Sequence, residues 1–423
     1  MKIIKVANIE KFTRQITPTQ PQKNKTVVES IIKDVKKNGD NAIRKYEKKF
    51  SGANLSSLRL SQSEIENAYS KVSKIELSAL CLTKTRLKKT ESAINSILKK
   101  KVINNDGIKI SKQFVPIDSV GCYIPGGLAK YPSSVIMSVV PAKVAGVKRI
   151  VVASPSNASG TIDPLTIAAA KICGANEIYK IGGVQSIAAL SYGTKTIPKV
   201  DKIVGPGGAF VTAAKYLISN HTGIDMLAGP TELGIIADNA ADPKFVALDL
   251  ISQAEHSKDT FCFLLTTSEK LAKSVNNILS DLIPKIQRQK IVESSLRKNG
   301  FIAICQTKSS LIKLVNNLAP EHLEIMTKNP ESLSSKITAP GLILLGNDTA
   351  SSASDYILGS NHILPTGGFG KTRGSLSVLD FMKIKTEVSC SKKSLSKISK
   401  YLNVLTDSER LPNHYEAVRG RIE

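Results

Sequence analysis

The chain carries only five histidines, and four of them sit in short polar clusters of its second half: Gln253-Ala254-Glu255-His256, Glu321-His322, Asn361-His362 and Pro412-Asn413-His414. Gln253 and His256 are three apart on a predicted helix, so both side chains leave one face near its C-terminal end, a geometry suited to two ligands of one metal ion. Asp355, within Ser352-Ala353-Ser354-Asp355-Tyr356, and His414 are the other candidate ligands. Two imidazoles with a carboxylate and an amide oxygen suit zinc, with manganese or cobalt as substitutes, better than a thiolate site does. Taken singly, each histidine reads as a structural residue, and spacing alone leaves both readings open. Glu321-His322 sets a carboxylate beside an imidazole, a pair able to act as general bases once their pKa values are tuned toward neutrality. The same dipeptide, following Pro320, also fits a helix N-terminus, where the dipole favours an acidic residue.

These residues need a frame, and hydrophobic periodicity outlines one. Val27, Val28, Ile31, Ile32 and Val35 form a helical stripe that Asn38-Gly39-Asp40 breaks, and a second helix follows through Ile43, Tyr46 and Phe50. Ser61 and Glu64 form a capping box for a third, and a charged, solvent-facing helix is expected from Lys84 to Lys101, ending near Asn104-Asn105-Asp106-Gly107. From about Val120 short apolar strands alternate with alanine-rich helices at βαβ spacing, the pattern of an α/β protein. Strands are expected at Arg149 to Ala153, Glu177 to Ile181, Leu233 to Ala237, Thr260 to Thr267, Phe301 to Gln306 and Gly341 to Gly346. Helices are expected at Pro164 to Cys173, after Gly182-Gly183, and from Phe245 to His256 behind an Asp242-Pro243 cap, with a polar helical tail from Lys393 to Glu423. Three glycine turns, Pro125-Gly126-Gly127, Ile181-Gly182-Gly183 and Gly205-Pro206-Gly207-Gly208, follow strands, where open α/β sheets bind ligands. None is GxGxxG; each alone is ordinary turn chemistry, and together they suggest a nucleotide crevice.

Bulk properties bound the class. At 423 residues the chain exceeds what one core usually serves, so two or more domains are expected. No apolar run approaches the roughly 20 residues of a membrane helix, and the start MKIIKVANIEKF lacks a secretory signal, so a cytoplasmic location is expected. Cys81, Cys122, Cys173, Cys262, Cys305 and Cys390 are scattered without CxxC spacing and read as reduced structural thiols. The formal charge of +24 is mainly lysine, spread from Lys23 to Lys400 with no aromatic platform or nucleic-acid module beside it. A solvated lysine-rich surface is the better reading, and its field would help draw in an anionic dinucleotide.

Seven motifs stand in an order that resembles the histidinol dehydrogenase family: Gly121-Cys122-Tyr123-Ile124-Pro125-Gly126-Gly127, the segment from Gly182 to Leu190, Gly205-Pro206-Gly207, Ala228-Gly229-Pro230-Thr231-Glu232, Ser252-Gln253-Ala254-Glu255-His256, Ala319-Pro320-Glu321-His322-Leu323-Glu324 and Asn361-His362-Ile363-Leu364-Pro365-Thr366. With the N-terminal pattern from Ile32 to Phe50, the resemblance runs from about residue 26 to 416. It implies an NAD-dependent, four-electron oxidation of L-histidinol through the aldehyde to L-histidine, with one zinc ion per subunit. It also implies two incomplete Rossmann-like α/β domains with an N-terminal helical region and a small C-terminal helical tail. Residues 1–119 hold the helical region and the start of the first domain, 120–232 the second, cofactor-side domain, 233–385 the remainder of the first, and 386–423 the tail.

Carried onto this sequence, the resemblance makes Gln253, His256, Asp355 and His414 the zinc ligands and Glu321 and His322 the catalytic pair. Tyr123, Gln185 and the position of Gly208 would contact cofactor; Thr231, His322, His362 and Glu409, together with the metal ligands, would contact substrate. It implies a homodimer in which the tail, with Glu409 and His414, completes the partner's site. Four positions depart from the family's usual residues: Gly208 for Asn, Thr231 for Ser, Ser351 for Glu and Ser354 for Gly. A relative acting on another polar alcohol is the alternative within the fold, and a non-catalytic nucleic-acid-binding protein the alternative outside it.

Overall fold

The computed structural model describes residues 1–16, 24–126 and 130–423. Two parallel sheets organise the chain. The larger has six strands in the order Lys2–Val6, Phe301–Cys305, Phe261–Thr266, Glu232–Ala237, His322–Met326 and Leu342–Leu345, all parallel. The smaller has five, in the order Glu177–Lys180, Arg149–Ser154, Ser119–Tyr123, Lys202–Val204 and Gly223–Ile224. Glu232–Ala237 and Phe261–Thr266 are buried along their whole length, as strands covered on both faces must be. No helix among the described residues is long and apolar enough to cross a membrane. All six cysteines are free, with Cys122, Cys173, Cys262 and Cys305 buried and Cys81 and Cys390 exposed.

The α/β expectation holds across residues 149–346, where the strands and helices read from the sequence form within one or two residues of their expected ends. Asp242 caps its helix as expected, its carboxylate accepting from the Lys244 N–H at 2.8 Å. Ser61 and Glu64 form the expected capping box. The long first helix, Lys25–Ser51, does break at Gly39, which takes φ 51°, ψ −128°. Its stripe is narrower than expected: Val28, Ile31, Ile32, Val35, Ile43 and Tyr46 are buried, whereas Val27 and Phe50 are exposed.

Two expectations are corrected. The helix placed at Lys84 to Lys101 runs instead from Lys74 to Ser96 and buries Leu80, Leu87 and Glu91. The next residues form a hairpin, Lys101–Asn105 against Ile108–Pro116, because Asp106 and Gly107 take the consecutive positive φ values, 49° and 76°, that a two-residue hairpin turn demands. Met382–Cys390 pairs antiparallel with the other edge of Ile108–Pro116, so the strand leading to the tail is anchored on the N-terminal region. The tail itself is a helical pair, Lys392–Ser408 and Pro412–Ile422. The second correction is the unanticipated strand Lys2–Val6, which closes one edge of the larger sheet.

Candidate active site

The helix–strand geometry of the larger sheet brings the polar clusters to one edge. A helix joining parallel strands runs back antiparallel to them, so its C-terminus returns to the edge where strands begin. Helix Pro243–Ala254 therefore carries Gln253, with His256 just beyond, toward the edge where Glu232–Ala237 and His322–Met326 start. Glu321-His322 heads a strand, not a helix: the preceding helix Lys308–Leu318 stops at Ala319, held at φ 46°, and Pro320 leads directly into the sheet.

At that edge two buried carboxylates clamp the strand heads reciprocally. The Glu232 N–H donates to Glu321 Oε2 at 2.9 Å, and the Glu321 N–H donates to Glu232 Oε2 at 3.2 Å. Glu232 Oε1 also accepts from the Gly367 N–H at 2.9 Å. Burial pushes Glu232 up to about 7 and Glu321 up to about 8, the latter opposed by neighbouring His322. Glu232 belongs to the Ala228–Glu232 motif, but nothing in its spacing marked it; the signal was an acid opening an otherwise apolar strand.

His322 is almost fully enclosed. Its Nε2 lies 3.1 Å from Asp355 Oδ1, and since a carboxylate only accepts, the proton sits on Nε2. Nδ1 is left as the lone-pair nitrogen, buried without a hydrogen-bond partner, 3.8 Å from Glu321 Oε2. Burial works to lower the His322 pKa, but the Asp355 bond and the Asp355 and Glu321 charges outweigh it and raise it. Burial likewise works to raise Asp355, but the bond and charge of His322 and the nearby His362 and His256 hold it below the usual range.

The remaining candidates divide into two groups. His256 Nδ1 lies 3.1 Å from the Gln253 carbonyl and must be its donor, which leaves Nε2 with its lone pair. The Gln253 side chain is buried, and its amide nitrogen has no partner. The Gln253 amide through its oxygen, the free imidazole nitrogen of His256 and the Asp355 carboxylate are groups of the kind that ligate a divalent cation. His362 is fully engaged: Nδ1 donates to the Asp355 carbonyl at 2.7 Å, and Nε2 accepts from Ser134 Oγ at 3.1 Å, across to helix Pro132–Ala145 that follows the first strand of the smaller sheet. Burial keeps its pKa low. Thr231 is half-buried beside Glu232, its carbonyl accepting from the Phe261 N–H at 2.9 Å. Glu409 and His414, by contrast, are exposed at the junction of the two tail helices, with no hydrogen bond or ion pair to the cluster. Among the described residues no group of three or more His, Cys, Asp or Glu is arranged to hold a metal ion within this one chain.

The glycine turns all lie at the C-terminal edge of the smaller sheet, although Gly127 falls outside the described residues. Gly205, at φ 115°, must be glycine, since a Cβ there would overlap the Tyr123 carbonyl oxygen. The buried Tyr123 hydroxyl accepts from the Gly183 N–H at 3.2 Å, and burial pushes its pKa up to about 12. Gln185 Nε2 donates at 2.8 Å to Glu47 Oε1, which also accepts from the Gly182 N–H at 2.8 Å. Gln185 Oε1 is buried without a partner. Gly208 caps helix Ala209–Ile218, and a Cβ on it would meet nothing within 4 Å. A cavity of about 400 Å³ opens between Lys71, Lys130, Asn157 and Asp163 and is bordered by Pro125 and Gly126 of the first glycine turn, but not by Tyr123, Gln185 or Gly208.

Comparison with known proteins identifies the family. The family model described as Histidinol dehydrogenase matches residues 14–422. The histidinol dehydrogenase of Oceanobacillus iheyensis is 41% identical over 413 residues, covering 97% of this chain and 96% of its own. That of Methanocaldococcus jannaschii is 42% identical over 398 residues, covering 94% and 92%. The crystal structure of histidinol dehydrogenase from Elizabethkingia anophelis superposes with a TM-score of 0.95 at 35% identity, covering 100% of this chain and 98% of that one.

Proposed function

Because the chain belongs to the histidinol dehydrogenase family, an oxidoreductase family of histidine biosynthesis, we propose that it oxidises L-histidinol to L-histidine by way of the aldehyde, with NAD as the oxidant in both steps. In the first step the alcohol loses a proton from oxygen and a hydride from carbon; in the second the hydrated aldehyde does the same, giving the carboxylic acid. Two NAD are reduced and one water is consumed.

The observation that carries this reading is the state of His322. Asp355 holds its Nε2 proton and leaves Nδ1 bare in a site nearly closed to water, the arrangement of a general base oriented by a carboxylate. His322 Nδ1 takes the hydroxyl proton as the hydride departs. Glu321, buried alongside and pinned by the Glu232 N–H, takes a proton from water attacking the aldehyde. Its raised pKa makes it a stronger base than an exposed carboxylate.

Gln253, His256 and Asp355 would hold a zinc ion together with His414 of the partner subunit, and the exposure of the tail supports a donor offered to a second copy. Glu409 of the partner subunit would pair with the substrate's ammonium group. Tyr123, Gln185 and the Gly208 turn would line the dinucleotide's path, with the unpartnered Gln185 Oε1 as an acceptor. Thr231 and His362 would border the substrate. When bound, zinc supplies an anchor for the substrate's imidazole and amine, and NAD supplies the hydride acceptor.

The test is stoichiometric. Zinc-loaded protein is incubated with limiting L-histidinol and excess NAD, with a chelated control. Two NADH per substrate, lost on chelation, are expected; none from a zinc-loaded sample would send the substrate assignment to other polar alcohols.

A further inference from the structure

Behind the site lies a second pair of buried carboxyls that none of the roles above uses. Glu324 is fully buried on strand His322–Met326, two residues past His322 and so on the same face of the strand. Its Oε1 accepts from the Ser351 N–H at 2.6 Å, the first residue of helix Ser351–Tyr356, which carries Asp355. That helix has no cap of its own: Ala350 occupies the N-cap position and has no side-chain oxygen to offer. A carboxylate borrowed from the neighbouring strand takes over the role. The Glu324 carboxyl also meets Asp249, itself buried on helix Pro243–Ala254, one turn before Gln253. Glu324 Oε2 has no N–H or O–H donor, and two neighbouring carboxyls buried from water disfavour ionising together.

We propose that Glu324, through Ser351 on one side and Asp249 on the other, is a positioning residue that holds the helices of Asp355 and Gln253 in register with His322. Three of the site's side chains come from three separate elements, and this is the polar junction among the described residues that touches all three. Burial raises the pKa of both carboxyls, which favours a proton between them. The inference rests on the reading of Gln253 and Asp355 as zinc ligands, and the experiment separates the two.

Zinc affinity of the full chain is measured by competition with a chromophoric chelator, alongside kcat and KM for L-histidinol and the thermal midpoint, for wild type, Glu324→Gln and Glu324→Leu. The amide of Glu324→Gln can accept from Ser351 and donate to Asp249, so it should stay near wild type. Glu324→Leu should weaken zinc binding by about tenfold or more and lower kcat, as loss of the residues that orient ligands does. Wild-type zinc affinity and kcat in a folded Glu324→Leu would overturn the proposal alone; a wild-type chain that binds no zinc would overturn the ligand reading and this proposal with it. Should Glu324→Leu fail to fold, Ser351→Pro carries the test. Proline is tolerated at the first helical position and deletes the N–H that donates to Glu324, along with the unpartnered Ser351 hydroxyl. Unchanged zinc affinity and kcat there would equally overturn the proposal.

Discussion

The two proposed bases, Glu321 and His322, are useful only without their protons. Burial holds Glu321 near 8, and the Asp355 contact raises His322, so both become competent as pH rises. Turnover of L-histidinol should therefore climb from pH 6 through about 8 and level off above, and Glu321→Gln should remove the second oxidation more than the first. A profile flat across this range would take Glu321 out of the reaction. At the proposed cofactor edge, Gly208 takes φ −69°, an angle open to any residue, with empty space where a side chain would begin. Gly208→Asn should fold normally and, if this turn meets NAD, lower its KM by up to about tenfold, the worth of one hydrogen bond; a KM that rises would count against the turn as a cofactor contact. The identities of these residues were readable because each falls in a motif. Their physical state was not, since a bare Nδ1 or an orphaned amide arises only from groups that are distant in sequence.

Among the elements, those with strong periodicity and explicit punctuation were legible. Asp242-Pro243 before an apolar run and Ser61 with Glu64 are local signals acting on local structure. Where tertiary pairing decides, the sequence spoke less clearly. Lys2–Val6, short and with only Val6 buried, becomes a strand because Phe301–Cys305 offers an edge. Pro320 read as a possible helix start, yet the left-handed Ala319 turns the chain into the sheet instead. Gly39 was legible for a conformational reason: φ 51°, ψ −128° is a region that residues with a Cβ avoid. A Cβ there would touch only Thr194, at 3.9 Å, so Gly39→Ala isolates backbone strain from packing. It should cost about 1–3 kcal/mol of stability, read from chemical denaturation, with kcat unchanged.

For the molecule as a whole, the site sits at the start of the larger sheet's strands, bridged by His362 and Ser134 to the smaller sheet's first helix. The exposed Glu409 and His414 raise the question of which body the tail serves. Co-refolding two inactive chains, His322→Ala and His414→Ala, answers it. If tails act in trans, each mixed dimer contains one intact site, about a quarter of all sites in a statistical mixture. If each tail serves its own chain, mixing restores nothing.

The pairing of Lys2–Val6 with Phe301–Cys305 also fixes an order of events during synthesis. The smaller sheet draws its strands from residues 119–224, an uninterrupted stretch that can assemble as it leaves the ribosome. Lys2–Val6 must instead wait for a strand some 300 residues later, on the order of tens of seconds at roughly 5–20 residues per second. Lys2–Val6 thus joins the larger sheet only once Phe301–Cys305 has been made, with His322–Met326 and Leu342–Leu345 still to follow, and the Phe301–Cys305 edge is left open until it docks.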